Sequence, residues 1–367
     1  MKPESVQMLS SAALFSSIFF MPLVLKDELG VPEAGVGLVV AAYAVSIFFS
    51  SWLFGRLADV RGRRMIMQLG LLACIGVSAI QYFARTPETL TAARVLMGFA
   101  AGTFPSALMA YAYESTGKAG KFASFGAMGW VIGTFLAGVF AMYSLYAPFL
   151  LSTILFGVAF AVSLTLPFPK EVHLKVPFFP TDVIKRNAAA YAAVLMRHTG
   201  ANMIWVVYPI FLARINPDPF WIGAVYAVNA GTQFVIMQLI DRYEGRRLLA
   251  AGLVLSALTF YLFTISDTEW LVFIDQLFLG ASWACMYVGA LKCILVSNVE
   301  RSTSNGLLDS TLSLSMIIGS IVGGVVAGSL GYEATMYAAM VMSLVSLGVF
   351  AFMVNGKNAG RQPAPAT

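Results

Sequence analysis

Runs of about twenty apolar residues follow one another almost from end to end of this chain of 367 residues. A helix needs about 20 apolar residues to cross the hydrocarbon core of a bilayer, and only helices and closed barrels satisfy their backbone groups there. Hydrophobic residues make up 59% of the sequence, well above the ~45–50% that is usual for soluble domains. The sequence therefore predicts an all-α membrane protein.

The apolar runs predict about twelve transmembrane helices. The first segment is followed by Lys26, Asp27 and Glu28 and not by a small-residue cleavage site, so we expect a retained helix instead of a signal peptide. The predicted spans lie near residues 5–25, 35–55, 65–84, 89–112, 122–143, 147–167, 187–212, 219–240, 247–266, 270–296, 303–330 and 334–354.

Lysine and arginine are distributed unevenly among the predicted loops. If both termini are cytoplasmic, 17 of the 23 Lys and Arg residues lie in cytoplasmic segments and only three lie in outer loops. This bias follows the positive-inside rule and predicts a multi-pass protein of the plasma membrane with cytoplasmic termini. The net charge of +5 then results from the placement of Lys and Arg in cytoplasmic loops, and we expect no nucleic-acid partner.

The two halves of the chain resemble each other. The segment 59–64, between the second and third spans, recurs with one extra residue as 241–247, between the eighth and ninth spans. We predict two pseudo-symmetric six-helix bundles, at 1–169 and 187–367, joined by a cytoplasmic linker at 170–186. Two homologous halves around a central path are typical of transporters, because rocking one half against the other exposes a midplane site to each side in turn.

The charged segment between the second and third spans resembles a family signature. In the major facilitator superfamily this loop reads Gly-x-Leu-Ala-Asp-x-x-Gly-Arg-(Arg/Lys), and the twelve-span, two-half layout extends the likeness over the whole chain. The glycine-rich fifth span loosely resembles drug/proton antiporters of that superfamily, although Trp130 stands where their motif has proline. The matching residues of the signature are Gly55, Leu57, Ala58, Asp59, Gly62, Arg63 and Arg64.

The resemblance implies that this segment is a conformational latch that holds the outward-open form. Asp59 would face the N-terminus of the eleventh span, where the helix dipole favours an anion, and Arg63 would pair with Glu114. The alternative is that the charges only anchor topology, which explains the arginines but not Asp59 or the glycine spacing. The expected latch residues are Gly55, Asp59, Gly62, Arg63, Arg64 and Glu114.

Charged residues inside spans are the next candidates, because an Arg, Lys or Asp at a helix centre costs roughly 2.5–3.5 kcal/mol and usually faces a partner or a wet cavity. Arg94 lies in a segment that resembles the superfamily's fourth-helix motif, whose Arg is associated with proton coupling. Asp275 occupies the equivalent place in the other half, six residues after Glu269 as Arg94 is six after Glu88. We expect an Arg94–Asp275 pair across the cavity, or else partners within each half.

Two further sets of charges have open alternatives. Arg197 and His198 lie near the middle of the seventh span; a histidine titrates near neutral pH, so His198 either carries a coupling proton or meets substrate, or is a hydrogen-bonded structural residue. Lys292 and Asp309 lie near the cytoplasmic ends of the tenth and eleventh spans. They either pair at an inner gate, or Lys292 snorkels to the surface.

The sequence favours transport over catalysis. It holds no nucleophile elbow, phosphate loop or metal-spaced His/Cys cluster, so we expect no enzyme activity, no cofactor and no metal. The candidate polar groups of a cavity are Asn202, Tyr208, Asn229 and Gln233.

The leading hypothesis is a monomeric secondary transporter that moves a small organic, amphipathic solute by alternating access. Proton-coupled efflux is favoured, and its partners are the small-molecule substrate, protons and the lipid bilayer. Proton-coupled uptake or facilitated diffusion is the alternative. A transport-dead sensor or receptor is a third hypothesis.

Overall fold

The computed structural model describes residues 2–167 and 173–359. The described residues form fourteen α-helices: α1 (Pro3–Leu23, continued as a π-helical turn over Val24–Glu28), α2 (Glu33–Arg61), α3 (Arg63–Phe83), α4 (Pro87–Ala101), α5 (Pro105–Thr116), α6 (Ala119–Ala141), α7 (Ala147–Leu164), α8 (Thr181–Trp205), α9 (Tyr208–Ile215), α10 (Pro219–Leu239, continued as a 3-10 turn over Ile240–Arg242), α11 (Gly245–Phe263), α12 (Glu269–Ser297), α13 (Arg301–Leu330) and α14 (Tyr332–Ala359).

These helices form twelve spans, because α4 with α5 makes the fourth span and α8 with α9 makes the seventh. Eleven helical segments in the described part of the chain are long and apolar enough to cross a membrane. The remaining span begins with α8, whose polar residues include Asn187, Arg197, His198 and Asn202. The prediction of about twelve transmembrane helices is confirmed.

The structure corrects the prediction in three places: two spans contain a break, and the linker ends earlier. The fourth span is not continuous over 89–112, because Pro105 lacks the N–H that a helix interior requires, and the helix breaks at residues 102–104. The seventh span breaks likewise before Pro209. The linker is shorter than 170–186, since α8 begins at Thr181 with Asp182 in its first turn, where an acid favours helix formation.

Helix packing repeats between the halves. In the amino-terminal half α1 packs on α6 and α7, and in the carboxyl-terminal half α8 packs on α13 and α14. Small residues permit both close approaches: a Cβ at Gly129 would lie 2.8 Å from the Cβ of Ser11, and one at Gly319 would lie 2.6 Å from the Cβ of Asn202. These glycines therefore serve helix packing within each half.

The halves meet through α2 on α13 and through α10 on α6. We call the side of the bundle that holds the start of α1 and the turns α2–α3, α10–α11 and α12–α13 the terminus face. The contacts along α2 and α13 run from this face as far as Ser310, whose hydroxyl donates to the carbonyl of Phe48 at 2.8 Å. The two halves are thus packed together in the terminus-face part of the membrane.

The segment before α8 is attached to the amino-terminal half. The backbone N–H of Leu174 donates to the carbonyl of Asp59 at 2.9 Å, and Arg56 donates through Nε to the carbonyls of Val176 and Pro177 at 3.0 and 2.9 Å. This attachment keeps the connection between the halves beside α2.

Candidate functional site: two helix-capping acids and a central cavity

Asp59 lies at the end of α2 and reaches the first turn of α13 in the other half. Its Oδ2 accepts the backbone N–H of Thr303 at 2.7 Å and the Thr303 hydroxyl at 2.8 Å, and its Oδ1 accepts the N–H of Ser302 at 3.3 Å. The first N–H groups of a helix have no partner within the helix, and the dipole makes that end positive. Asp59, 1% exposed, therefore caps a helix of the opposite half.

Arginines support this contact from both halves. Arg63 donates to Asp59 Oδ1 at 2.9 Å and to the Ser302 hydroxyl at 2.8 Å, and it forms an ion pair with Glu114. Arg301, from the other half, binds Glu114 at 2.7 Å. The Glu114 side chain is 40% exposed. Ion pairs with this degree of solvent exposure contribute only about 0–1 kcal/mol each to stability. The buried bonds of Asp59 are therefore the stronger part of the contact.

The glycines at this site allow the backbones to approach. A Cβ on Gly55 would lie 2.7 Å from the carbonyl oxygen of Ser302 and 2.8 Å from the Cα of Gly306. Gly62 ends α2 with a φ of +105°, a conformation that a side chain disfavours. Arg64 lies exposed in the first turn of α3. The structure thus brings Gly55, Asp59, Arg63 and Glu114 to the interface between the halves.

Asp241 makes the equivalent contact in the second repeat. Its Oδ1 accepts the backbone N–H of Gly120 at 2.7 Å and its Oδ2 that of Lys121 at 2.6 Å. Gly120 and Lys121 are the second and third residues of α6, as Ser302 and Thr303 are of α13. We did not predict this contact from the sequence, although the recurrence of the 59–64 segment at 241–247 contained the signal.

A cavity of about 550 Å³ lies between the halves, within the range of small-molecule sites. Its wall is mostly aromatic and aliphatic, and its polar members are amides, hydroxyls, one arginine and one histidine. α1 and α6 line one side, and α8, α10 and α12 line the other. The polar and aromatic lining residues are Gln7, Ser11, Phe15, Phe19, Trp130, Arg197, His198, Trp205, Tyr226, Asn229, Gln233, Trp283 and Tyr287.

Arg197 and His198 lie on the α8 side of the cavity. Arg197 is 1% exposed and donates through Nε to the Ser256 hydroxyl at 2.7 Å and through a terminal nitrogen to the Ser282 hydroxyl at 3.3 Å. His198 packs on Trp283 with the ring centres 5.0 Å apart, and its Nδ1 is buried without a hydrogen-bond partner in the described part of the protein.

A chain of side-chain amides leads away from the cavity. Gln233 donates to Asn229 at 2.5 Å, Asn229 donates to Gln276 at 3.1 Å, and Gln276 donates to the Tyr208 hydroxyl at 2.8 Å. Of the four polar residues predicted for the cavity, Asn229 and Gln233 line it. Tyr208 lies behind them, and Asn202 donates to the carbonyl of His198 within its own helix.

The sequence profile of the Major Facilitator Superfamily matches residues 5–196 and, separately, residues 190–366. The chain belongs to this superfamily. Two family matches in one chain also agree with the repeated packing of its halves. This protein is therefore a multi-pass membrane transporter for a small molecule, and the recognition of the family from the α2–α3 segment is confirmed.

Relatives within the superfamily include resistance proteins. The chain is 27% identical over 317 residues to the class G tetracycline resistance protein of Vibrio anguillarum, covering 77% of this chain and 78% of that one. It is 26% identical over 281 residues to the quinolone resistance protein NorA of Staphylococcus aureus, covering 69% and 70%. The human organic anion transporter MFSD10 (TETRAN) shares the fold, with a TM-score of 0.77 at 14% identity over 95% of this chain and 98% of that one.

In this superfamily member Arg94 and Asp275 do not pair, contrary to the first alternative from the sequence. Arg94 lies over the ring of Tyr43, 3.9 Å from its centre and within the same half. Asp275 is buried near Tyr208 in the other half. No ion pair joins the two within the described residues, because equivalent positions in the two repeats do not make the side chains face each other.

Lys292 and Asp309 do not pair either. Lys292 donates to the backbone carbonyls of Asp241 and Tyr243, where the end of a helix leaves carbonyls without partners. Asp309 accepts from the Ser106 hydroxyl of the opposite half at 3.2 Å and from Asn305 at 3.1 Å. The lysine thus reaches the terminus face, while the aspartate is one more contact between the halves.

Proposed function

We propose that this transporter exports a small organic solute by alternating access, in exchange for protons, with both termini in the cytoplasm. Its relatives include proteins named for tetracycline and quinolone resistance, which supports export. The monomer is the proposed functional unit, because each half supplies one side of the cavity.

One observation carries the proposal: two pseudo-symmetric acids close one side of a cavity between two halves. Asp59 and Asp241 each cap a helix of the opposite half, so neither set of bonds survives separation of the halves at the terminus face. The cavity lies on the far side of these contacts. The arrangement fits a transporter that is closed to the cytoplasm and that must break both contacts to open there.

Asp275 and His198 are the proposed proton carriers. Asp275 is 2% exposed, and one of its carboxylate oxygens has no hydrogen-bond partner in the described part of the chain. His198 lines the cavity with a partnerless Nδ1. Intramembrane ionisable groups of this kind commonly mark proton pathways.

Flux measurements in proteoliposomes with an imposed pH gradient test the proposal. We expect an inward-directed proton gradient to drive solute out of the compartment that represents the cytoplasm. Asp275→Asn and His198→Gln should each weaken the response to the gradient, whereas Asp267→Asn, in an exposed loop, should not. Solute flux that ignores the gradient in both directions would exclude proton coupling and leave facilitated diffusion.

A further inference from the structure

Opposite walls of the cavity each carry a cluster of aromatic rings. On the amino-terminal half, Phe15 and Phe19 stack on Trp130, with ring centres 5.3 and 6.4 Å away; we call this the amino-half stack. On the carboxyl-terminal half, Trp283 lies nearly parallel to Tyr287 at 5.3 Å and 6°, with His198 5.0 Å from it on α8. These three residues form the carboxyl-half stack.

Each of the two walls offers ring faces and edges to a flat ring system. Both stacks border the same cavity of about 550 Å³, and they belong to different halves. Offset stacking and edge contacts stabilise a bound ring at either wall. Gln7 on one side and Asn229 and Gln233 on the other supply hydrogen bonds for polar substituents of the solute.

The charge of the wall discriminates between solutes. Among the described residues that line the cavity there is no carboxylate, and Arg197 is the only permanently charged group. Two hydroxyls bind this guanidinium, and no acid of the described residues pairs with it. Hydroxyls solvate a guanidinium without neutralising it, so the wall keeps a positive charge that repels a cation and attracts an anion.

Two acids within the spans of the carboxyl-terminal half do not reverse this sign at the wall. Asp275 lies with Tyr208 behind the amide chain, and Asp309 is engaged by Ser106 and Asn305 between α5 and α13. Neither acid lines the cavity formed by the described residues. The described residues of the wall thus include Arg197 and His198 but no carboxylate that would pair with a lipophilic cation.

We propose that the transported solute is a planar aromatic compound that is anionic or neutral, with its acidic group directed to Arg197, and that aromatic cations are excluded. This inference rests on the proposed export function and specifies the substrate class of its cavity.

Binding of three matched bicyclic probes to the purified full-length protein tests the inference. 2-Naphthoate, 2-naphthamide and 2-naphthylmethylammonium share one ring system and differ in charge. Titration calorimetry should show the tightest binding for naphthoate, weaker binding for the amide and the weakest for the ammonium probe. Arg197→Gln should lower naphthoate affinity by about tenfold or more, the loss expected for a hydrogen bond to a charged group, and leave amide affinity unchanged.

Arg197→Lys keeps the positive charge and should restore part of the naphthoate affinity. If Arg197→Gln does not fold, the order of the three probes on the unmodified protein still decides the question. Ammonium binding as tight as naphthoate binding would overturn the inference, and so would failure of all three probes to bind. Either result leaves the response of solute flux to a pH gradient untouched, so failure of the substrate class is distinguishable from failure of proton-coupled export.

Discussion

Asp241 of the carboxyl-terminal half accepts the backbone N–H of Lys121 of the amino-terminal half at 2.6 Å, and Asp59 accepts that of Thr303 in the reverse direction at 2.7 Å. Each half thus supplies an acid and a helix N-terminus to the same interface. A contact duplicated by the repeat closes the terminus face at two places, one on each side of the path between the halves.

Asp59→Asn should leave the protein folded and strongly reduce transport. The amide keeps one acceptor oxygen but loses the negative charge that the N-terminus of α13 and Arg63 both favour. Asp241→Asn should act in the same direction, and the double variant should hold the terminus face open. Solute flux in vesicles and the distance between spin labels at Lys118 and Arg247, which are exposed and lie in different halves, report the two effects.

The matched control is Asp267→Asn, which removes a charge from an exposed loop. Normal flux and an unchanged label distance in Asp59→Asn, at normal expression, would show that the charges of segment 55–64 only fix the orientation of the chain in the membrane.

Gly55→Leu should block closure at the terminus face. The added side chain would meet the carbonyl of Ser302 and the backbone of Gly306 at distances that no ordinary contact allows. Gly76→Leu is the control, because a Cβ there has nothing within 4 Å. We expect loss of flux and a longer distance between the labels at Lys118 and Arg247 for Gly55→Leu only; equal behaviour of the two variants would contradict the packing described here.

Arg94→Ala and Asp275→Ala should destabilise the protein additively. The two residues have neighbours in their own halves, and distant sites add within about 0.5 kcal/mol. A second pair of substitutions, Asp59→Asn and Arg63→Gln, serves as the comparison. These two side chains lie 2.9 Å apart, so we expect their effects on stability to be non-additive. Thermal unfolding of single and double variants measures both cycles, and recovery in the Arg94/Asp275 double variant would indicate a pair that forms in another conformation.

Trp130→Ala should raise the half-saturating concentration of a planar aromatic solute about tenfold, because the ring that completes the amino-half stack is lost together with its buried area. Trp270→Ala removes a ring that is 79% exposed and should leave transport unchanged. The measurement is flux against solute concentration for both variants. Equal values would mean that the amino-half stack does not touch the solute.

The sequence predicted the spans and the two halves because hydrophobic length and internal repetition are one-dimensional signals. It also named Asp59, Arg63 and Glu114 through the resemblance of a short motif, and the structure places these residues together. Pro105 and Pro209 were visible signals for the helix breaks that we did not use.

The cavity was harder to predict for a physical reason. A phenylalanine or tryptophan in an apolar span faces lipid, a neighbouring helix or a cavity without any change in the local pattern, so Phe15, Trp130 and Trp283 gave no directional signal. The same uncertainty of rotation about the helix axis explains why Arg94 and Asp275, at equivalent positions of the two repeats, have different neighbours.

The attachment of the linker to α2 limits how far the molecule can open. Arg56 holds the chain at Val176 and Pro177, and α8 begins at Thr181, so four peptide units connect a point fixed on one half to the first turn of the other. Fully extended, they reach no more than about 14 Å. As long as Arg56 keeps these hydrogen bonds, the two halves cannot separate far at this point of the terminus face. The widest separation of the halves must therefore develop on the opposite side of that face.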